Sequence, residues 1–405
     1  MPTTPLDIRD TRSISYWQHT AGLPSAAPND SPVDVIETDL CVVGGGVTGS
    51  AAAYFAGKMG MDVVLLEARE PALGASGRNA GMVLSGIADN YAEAVRLYGR
   101  ETARSLWQLS IDNREATLAL ADALGVGYNR CGSWLLADDE AEAAQLAEAH
   151  TLLSEDGFPH EYSPHDPLGR GFLAGLYRPN DAVIHPARLV RALNAAAQAR
   201  VINGSPVTGL VERNDGRVEV VSARARVIAR RVLLNTNAYS RLLDPYFEDK
   251  VFAYRGQIQV TEPAPMIFHE AGYSHFGYWY FRQIPEADDP SLGRWLIGGA
   301  RHLHFGTENH TFDETATDPV QDDLRAYTAR YFPELANVKI SHRWAGIMGF
   351  TADGLPLIGA LPHLPAVSFC VGFNGHGMGL GLMVTRRALD WMFEDADRGV
   401  FAAER

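Results

Sequence analysis

Three glycines and an acidic residue near the start of the chain have the types and spacing of a nucleotide-binding turn. Gly44, Gly46 and Gly49 fit the pattern G-x-G-x-x-G, and Glu67 follows at about the 20-residue spacing of an acid that accepts hydrogen bonds from a ribose. The first glycine permits the sharp bend, the second lets the backbone approach a pyrophosphate, and the third lets a helix pack closely on a strand. The pattern predicts a site for the ADP part of a dinucleotide, with a tight turn that binds nothing as the alternative.

The elements around this turn could hold it in place. Residues 40–43 are apolar and include two valines, as in a buried parallel strand. Alanines at 51–53 suit close packing of the following helix, whose amino-terminal end offers free N–H groups to an anion. The stretch MDVVLLEARE is a second strand that ends near the acid. Together these elements predict a Rossmann-like unit, which could hold either FAD or NAD.

A second glycine-rich turn lies near the carboxyl-terminal end. Five glycines occur from Gly372 to Gly381, between a strand-like run and a helix that begins near Gly377. The amino-terminal end of that helix would point at an electron-rich group such as a reduced flavin. The turn lacks the following strand and acid of a second complete fingerprint. One complete nucleotide-binding pattern at the first turn and one partial pattern at the second favour a single long FAD over NAD.

Residues 73–83, with the sequence LGASGRNAGMV, lie directly after the second strand. They combine small residues with two hydrogen-bond donors, Arg78 and Asn79. Such a loop could wrap a diphosphate and approach an isoalloxazine ring, and an ordinary surface loop is the alternative.

Composition and charge limit the possible functions. The 405 residues are enough for two domains, and 46% hydrophobic and 21% charged residues are typical of a globular protein. The formal net charge of −14 disfavours nucleic acid, which needs a basic face. The three cysteines form no CxxC pair or metal-ligand cluster, so we expect no metal site and a reducing, cytoplasmic location. We expect no membrane span and no signal peptide, because neither apolar pattern occurs.

The chain is similar to a known family along nearly its whole length. The motifs that carry the similarity are VVGGGVTG, LLEAR, GASGRNAG, IHPARLVRAL, SPVTGLVE, VLLNTNAYS, YRGQI, WLIGGAR, RWAGIMGFTADGLPLIG and GFNGHGMGLG. They resemble the FAD-dependent amine and amino-acid oxidoreductases grouped with D-amino-acid oxidase, glycine oxidase and sarcosine oxidase. The SYW, GASGRNAG and GHGMGLG motifs look most like the gamma-glutamylputrescine oxidase branch. The resemblance implies an α/β flavoprotein in which a Rossmann-like FAD-binding domain is interleaved with an antiparallel-sheet substrate domain.

The resemblance also implies which residues hold the cofactor. The pyrophosphate is expected at the three glycines of the first turn, the ribose at Glu67 and the adenine at Val207. Further cofactor residues are expected to be Val47, Thr48, Ala68, Arg69, Ala75, Ser76, Arg78, Asn79, Ala80, Gly81, Met82, Asn235, Thr236, Trp344, Gly346, Gly375, His376, Gly377, Met378 and Gly379. Asn235 stands where the family commonly has alanine. Sarcosine oxidases attach flavin to a cysteine near AGIMGFTADG, which has no cysteine here, so we expect non-covalent FAD.

The resemblance and the order of elements divide the chain into interleaved segments. We expect an amino-terminal arm at 1–34, an FAD-binding domain at 35–90, 170–250 and 340–405, and a substrate domain at 91–169 and 251–339. Tyr16 and Trp17 could anchor the arm. Apolar residues at three and four spacing predict long helices at the start of 91–169, and the motif GSWLLADD predicts a strand. Alternating patterns in 251–339 predict an antiparallel sheet over the flavin.

Five residues are candidates for the substrate side of the flavin: Tyr254, Gln257, Arg282, His302 and Met348. Arg282 could bind a substrate carboxylate through two hydrogen bonds, or form a surface ion pair. Tyr254 and Gln257 could line the ring or cover the core. His302 could face the pocket or end a solvated strand, and Met348 could pack on the ring or fill the core.

Other nearby residues receive mainly structural interpretations. Arg294 and Arg301 are expected to be surface charges. The aromatic run at 278–281 could cage an ammonium group by cation–π contact, although a packed strand is the usual outcome for such a run. His376, inside the second glycine-rich turn, is expected beside the flavin.

The reaction implied by the resemblance is flavin-dependent oxidation of a small amine or amino acid. A hydride would pass from the carbon beside a neutral amine nitrogen to flavin N5, the imine would hydrolyse, and O2 would reoxidise the flavin to give hydrogen peroxide. No dedicated base is required, in agreement with the lack of a triad or carboxylate pair in the sequence. Two alternatives stay open: a dehydrogenase that passes electrons to a quinone or carrier protein, and a flavoprotein without catalysis.

Overall fold

The computed structural model describes residues 13–24 and 35–405. Its strands are β1 (Ile36–Val43), β2 (Val63–Leu66), β3 (Met82–Val83), β4 (Tyr128–Asn129), β5 (Ser133–Ala137), β6 (Glu161–Ser163), β7 (Ala174–Arg178), β8 (Ala182–Ile184), β9 (Arg200–Ile202), β10 (Val207–Glu212), β11 (Val218–Ser222), β12 (Arg226–Leu234), β13 (Phe252–Pro265), β14 (Ala271–Ser274), β15 (Trp279–Pro285), β16 (Leu292–Gly299), β17 (Ile340–Phe350), β18 (Leu357–Leu361) and β19 (Leu364–Val371). Its helices are α1 (Tyr16–Thr20), α2 (Val47–Lys58), α3 (Tyr91–Tyr98), α4 (Arg100–Ala123), α5 (Glu140–Glu155), α6 (Pro186–Ala196), α7 (Phe305–Glu308), α8 (Asp318–Tyr331) and α9 (Gly377–Glu394).

The first sheet has a parallel centre that carries the predicted nucleotide-binding turn. Its main order is β10-β11-β12-β1-β2-β9, and β19 pairs with both β12 and β18. Strand β1 is parallel to β12 and to β2. Its residues alternate between two cores: Leu40 and Val42 pack in the core that contains α2 and α9 residues, and Cys41 and Val43 pack in the core on the other face. Burial on both faces explains the continuous apolar run.

The second sheet has the order β17-β13-β16-β15-β14-β5-β7-β6. All of its pairs are antiparallel except β14 with β5, which run parallel. Strand β13 lies against β17 in a register that sets Gly256 opposite Gly346 and Tyr254 opposite Met348. This register brings small residues and a methionine together near one end of the sheet. A small third sheet has the order β3-β8-β4.

The strand pairing differs from the predicted domain limits at two places. Strand β7 lies within 170–250 and β17 lies within 340–405, both assigned to the FAD-binding domain, yet both strands pair within the second sheet. The sequence pattern shows that a segment is a strand, but not which sheet it joins. If each sheet defines one domain, β7 and β17 belong to the substrate domain, and the predicted limits at 170 and 340 shift accordingly. The division of the chain into two domains stays a prediction.

Helices occupy the start of 91–169, and one of them positions the second glycine-rich turn. Helices α3, α4 and α5 follow one another there, as the three and four spacing predicts. The buried Asn113 on α4 donates to the carbonyl of Met378 at 2.9 Å and accepts from the N–H of Leu382 at 2.9 Å. These bonds fix the first turn of α9. In the described part of the chain, no helix combines the length and apolar character that a membrane crossing requires.

Candidate cofactor and substrate site

The predicted nucleotide-binding turn lies at the carboxyl end of β1. Gly44 has φ +104°, which residues with a side chain rarely adopt, and a Cβ there would lie 2.8 Å from the carbonyl oxygen of Asn235. A Cβ at Gly49 would lie only 1.8 Å from the carbonyl oxygen of Gly44. Helix α2 begins directly after Gly46, and the N–H of Val47 donates to Ser76 Oγ at 2.9 Å. The partial positive charge at this amino-terminal end can attract an anion. The turn therefore needs glycine so that the helix can pack on the strand and so that an anion can approach the backbone.

Glu67 directly follows β2, the parallel neighbour of β1, and its carboxylate reaches back to the turn. Oε2 accepts from the N–H of Gly45 at 2.6 Å, and Oε1 accepts from the N–H of Arg69 at 2.8 Å. Burial raises the pKa of Glu67, although both donors favour its charged form. The carboxylate lines a large cavity, where it can also accept hydrogen bonds from hydroxyl groups.

This cavity has a volume of about 1680 Å³ and connects the first glycine-rich turn with the second sheet. Glu67 and Val207 lie at one end. Gly346 and Met348 on β17, together with residues 375–379, form the other end. The cavity therefore extends from the predicted ADP site to the second glycine-rich turn, which is expected beside the flavin ring.

The cavity brings together most of the residues predicted to hold the cofactor. Those that line it are Gly44, Gly46, Val47, Thr48, Glu67, Ala68, Arg69, Ala75, Ser76, Arg78, Asn79, Ala80, Met82, Val207, Asn235, Thr236, Gly346, Gly375, His376, Gly377, Met378 and Gly379. Gly49, Gly81 and Trp344 are absent from the lining. Each of them supports the lining from behind: Gly49 packs on the turn, and Gly81 and Trp344 belong to the hydrogen bonds that fix the neighbouring loop. Their direct contact with the cofactor stays a prediction.

Residues 78–82, here called the cavity loop, are fixed from the side away from the cavity. The bonds run from the Trp344 indole to the carbonyl of Arg78 (2.8 Å), from the Trp17 indole to that of Asn79 (2.7 Å), and from Arg282 Nη1 to those of Ala80 (3.3 Å) and Gly81 (3.0 Å). None of the three donor residues lines the cavity. The N–H groups of Asn79 and Ala80 have no acceptor among the described residues, so both can bind acceptor atoms of a ring in the cavity.

The described part of the amino-terminal arm braces this loop and the residues before it. Trp17 is 1% exposed, which supports its expected role as an anchor, and Tyr16 packs against it at 5.3 Å between ring centroids. Ser15 Oγ donates to the carbonyl of Gly77 at 2.5 Å, and the Gln18 amide donates to that of Ala72 at 3.0 Å. The rest of the predicted arm, 1–12 and 25–34, lies outside the described residues.

Two helices begin at the cavity and give it positive character at both ends. Helix α2 starts beside the first turn and α9 starts at Gly377, so the partial positive charges of both amino-terminal ends face the space between them. His376 precedes α9, and burial lowers the pKa of its imidazole, which therefore stays neutral. A long cofactor with an anionic diphosphate between a nucleoside and an electron-accepting ring fits this arrangement.

Of the five predicted substrate-side residues, only Met348 lines the cavity. Tyr254 instead packs against Phe350 at 4.8 Å between ring centroids. Gln257 is fully buried and donates to Glu308 Oε2 at 2.9 Å. The alternation of side chains along β13 turns Gln257 away from the face that carries Gly256. Both side chains occupy packing positions in this structure, and their expected ring contacts stay predictions.

Arg282 and His302 also lie outside the cavity lining. Arg282 is 4% exposed and donates to the cavity loop, so it does not form the surface ion pair that was its alternative. Its role toward a substrate stays a prediction. His302 packs in tilted geometry against His275 at 4.7 Å and Tyr278 at 4.8 Å between ring centroids. Burial lowers the pKa of His302 to about 4, so its imidazole is neutral.

Arg301, expected to be a surface charge, lines the cavity instead. Its guanidinium lies 4.9–5.5 Å from the centroids of four aromatic rings, those of Tyr254, Tyr278, Phe305 and Phe350. Nη1 donates to Asn309 Oδ1 at 3.1 Å, and no carboxylate of the described residues lies within 4.0 Å. The preceding Gly299 and Ala300 have φ values of +131° and +60°. This bend at the end of β16 redirects the arginine, and a strand pattern carries no signal for it.

The aromatic run predicted at 278–281 supplies hydroxyl groups to the same region. Tyr278 and Tyr280 line the cavity, and so does Tyr273 from the neighbouring strand β14. Their hydroxyls have no hydrogen-bond partner among the described residues. Burial raises the pKa of Tyr273 to about 12 and raises that of Tyr280 further, so both hydroxyls stay protonated and can donate. The run is a packed strand with a polar edge rather than an ammonium cage.

A buried carboxylate holds the turn between β14 and β15 at the cavity wall. His275, Phe276 and Gly277 are consecutive residues with φ of +51°, +54° and +82°. Glu142, 4% exposed on α5, accepts from the N–H of Phe276 at 2.6 Å and from that of His275 at 3.0 Å. His275 in turn contacts Asp138 at 2.9 Å. These bonds fix the position of Phe276 and Gly277, which line the cavity.

We expect the stability difference between the wild type and Glu142→Gln to depend on pH. Burial raises the pKa of Glu142 to about 7. A raised acid pKa contributes stability below the unfolded value of about 4.3, and this contribution is lost as pH rises through 7. The unfolding free energy of the wild type relative to the variant should fall by about 3 kcal/mol between pH 5 and 8. Denaturant unfolding of both proteins at four pH values measures this difference, and a constant difference for Glu142→Gln would contradict the assignment.

The chain belongs to the FAD dependent oxidoreductase family (DAO), whose model matches residues 39–391. It is therefore an FAD-dependent oxidoreductase, and the predicted family, cofactor and enzyme class are confirmed. Among curated relatives it is 29% identical to glycine oxidase of Pseudomonas aeruginosa, covering 87% of this chain and 94% of that protein. It is 25% identical to gamma-glutamylputrescine oxidoreductase of Escherichia coli, covering 95% and 90%.

A solved structure shows the same fold. Glycine oxidase from Geobacillus kaustophilus aligns with a TM-score of 0.77 and 21% identity, over 91% of this chain and 99% of that one. The predicted fold class, a two-domain α/β flavoprotein, is confirmed by this alignment.

Proposed function

We propose that this protein oxidises the C–N bond of an amino acid whose carboxylate is bound by Arg301. The observation that carries this proposal is an arginine that lines the cavity without a carboxylate partner among the described residues. A guanidinium in a partly apolar site gains most from a planar carboxylate, which can accept two parallel hydrogen bonds. The aromatic rings around Arg301 limit its rotation and leave its free N–H groups for a ligand.

The residues around the cavity divide the work between binding and positioning. When bound, FAD accepts the hydride from the carbon beside the amine nitrogen. Arg301 would hold the acid, and the hydroxyls of Tyr278 and Tyr280 would donate to the same end of the substrate. The amine must lose its proton to solvent before it reacts. The resulting imine would hydrolyse to a carbonyl compound and a smaller amine or ammonia.

The relatives support an acidic amine as the substrate class. One is named for glycine and another for gamma-glutamylputrescine, and both compounds contain a carboxylate and an amine. Arg301 fits the group that the two compounds share. The amine portion differs between them, so the identity of the substrate beyond its carboxylate depends on the rest of the cavity.

An anaerobic screen tests the proposal directly. Oxygen-free holoenzyme is mixed with glycine, D-amino acids, N-methyl amino acids, gamma-glutamyl amines and the matching amines without a carboxylate. We expect the visible flavin absorbance to bleach with one or more acids and not with their decarboxylated counterparts. Bleaching by plain amines alone would overturn the role of the carboxylate, and no bleaching by any compound would favour a flavoprotein without catalysis.

We further propose that O2 is the acceptor that returns electrons from the flavin and gives hydrogen peroxide. The alternative is a dehydrogenase of the same fold that uses a quinone or carrier protein. Peroxide formed per substrate consumed in air separates the two, since an oxidase should give about one per turnover and a dehydrogenase very little. A soluble quinone analogue added without oxygen provides the opposite control.

A further inference from the structure

Arg282 is a buried cation behind the wall of the cofactor cavity. It is 4% exposed on β15, and its Nη1 donates to the carbonyls of Ala80 and Gly81. Its guanidinium lies 5.4 Å from the ring of Trp17. Its main contacts are thus two backbone carbonyls, which accept hydrogen bonds, and the face of one indole ring. The Nε atom has no hydrogen-bond partner.

No negative charge neutralises Arg282. No carboxylate of the described residues lies within 4.0 Å of its guanidinium. The titratable groups that act on it most are Cys131 and Tyr16, both normally neutral at pH 7. The nearby His185 is neutral too, because burial lowers its pKa to about 3. A buried charge without a counter-ion is costly for a protein, and burial lowers the pKa of Arg282 to about 10.

The uncompensated charge lies against the part of the cavity that is remote from the ADP end. Ala80 and Met82 line the cavity while Arg282 bonds the same loop from behind. A Cβ on Gly346 of β17 would lie 3.0 Å from the Cβ of Arg78, so the cavity loop adjoins the β17 end. That end lies opposite Glu67 and Val207. A flavin ring bound there would be separated from Arg282 by a single layer of backbone.

We propose that Arg282 provides the counter-charge for the reduced, anionic flavin by acting through the cavity loop. A neutral isoalloxazine that accepts a hydride gains two electrons and one proton and becomes an anion, while the substrate carbon that loses the hydride becomes part of an iminium. The positive charge of Arg282 favours that anion over the oxidised ring. Arg282 is accordingly a positioning and charge-tuning residue rather than a substrate ligand.

This inference requires FAD in the cavity but does not depend on the identity of the substrate. It is tested with sulfite, which adds to the oxidised ring and leaves a negative charge on it. Arg282→Gln keeps a side-chain donor for the two carbonyls but removes the charge, and Arg282→Lys keeps the charge. We expect Arg282→Gln holoenzyme to bind sulfite at least tenfold more weakly. Its two-electron reduction potential should also be lower, by about 30 mV for each tenfold decrease in the equilibrium constant for reduction of the flavin. Arg282→Lys should stay within threefold of the wild type.

Two controls separate charge from packing. Arg294→Gln removes an arginine that is paired with Glu286 at 2.6 Å and should leave sulfite affinity unchanged. Trp17→Phe removes the neighbouring hydrogen bond to the cavity loop without changing the charge. It should alter FAD affinity more than the reduction potential.

A second pair of variants tests the same charge if Arg282→Gln purifies without flavin. Cys131→Asp places a carboxylate beside the intact arginine, and Cys131→Asn is its uncharged match. Wild-type sulfite affinity in Arg282→Gln or Cys131→Asp, or an equal loss in Arg282→Lys and Arg282→Gln, would overturn the proposal.

Discussion

Gly49→Ala should give protein that lacks the yellow flavin absorbance after purification. The added Cβ would lie 1.8 Å from the carbonyl oxygen of Gly44, and both positions are set by the backbone. Helix α2 would therefore have to move away from β1 and carry its amino-terminal end with it. Overpacking of this kind costs about 1–3 kcal/mol, which corresponds to a loss of FAD affinity of up to about 100-fold. Titration of the apoprotein with FAD measures the affinity.

Two further glycine variants show whether the loss is specific. Gly209→Ala on β10 places its Cβ 3.8 Å from the nearest atom, an ordinary contact, and should retain full FAD. A Cβ at Gly46 would meet only the Ser76 side chain, with Oγ at 2.9 Å and Cβ at 3.8 Å, and a rotation of that side chain can relieve the contact at the cost of its bond to the N–H of Val47. Gly46→Val should thus fold but block approach of a pyrophosphate. If both Gly46→Val and Gly49→Ala hold stoichiometric FAD with wild-type affinity, the assignment of this turn to the cofactor is wrong.

Arg301→Ala should reduce kcat/KM for acidic substrates by at least about 100-fold, because hydrogen bonds to charged groups contribute about 1.5–3 kcal/mol each and a carboxylate can accept two. The same variant should change kcat/KM for plain amines by less than about threefold. FAD content should be unchanged, because Arg301 makes no contact with the glycine-rich turns. Steady-state rates with matched acid and amine pairs provide the measurement.

Arg301→Lys and Arg325→Ala complete this test. Lysine keeps the charge but not the planar pair of donors, so it should recover only part of the lost activity. Arg325 is 49% exposed on α8, where it pairs with Asp322, and its removal should have no effect on either substrate class. Equal losses for acids and amines in Arg301→Ala would show that Arg301 does not bind the carboxylate.

The nucleotide end of the site could be predicted from sequence because its signals are local. Gly44, Gly49 and Glu67 lie within one strand–turn–helix–strand unit, where spacing along the chain fixes spacing in space. In the structure Gly44 and Gly49 pack against each other in the turn after β1, and Glu67 accepts a hydrogen bond from the N–H of Gly45. The buried parallel strand β1 was predictable for the same reason, since burial on both faces leaves an uninterrupted apolar run.

The substrate end could not be predicted in the same way, and the two arginines show why. Arg282 lies on β15, where both faces are covered and the alternation between buried and exposed residues is lost. The sequence therefore cannot tell which face of β15 meets the cavity. Arg301 depends on a left-handed bend at Gly299 and Ala300 and on aromatic rings from three other segments. The positions of both arginines relative to the cavity thus depend on residues that are distant in sequence.

The bracing of the cavity loop has a consequence for the maturation of the protein. Its carbonyls are held by Trp17 from one of the first segments and by Trp344 from one of the last, and the opposite wall is closed by residues 375–379. A nascent chain on the ribosome cannot complete this enclosure until residues 375–379 have left the exit tunnel. Coenzyme capture thus follows the synthesis of all of these segments, and the polypeptide must remain foldable in its empty form until then.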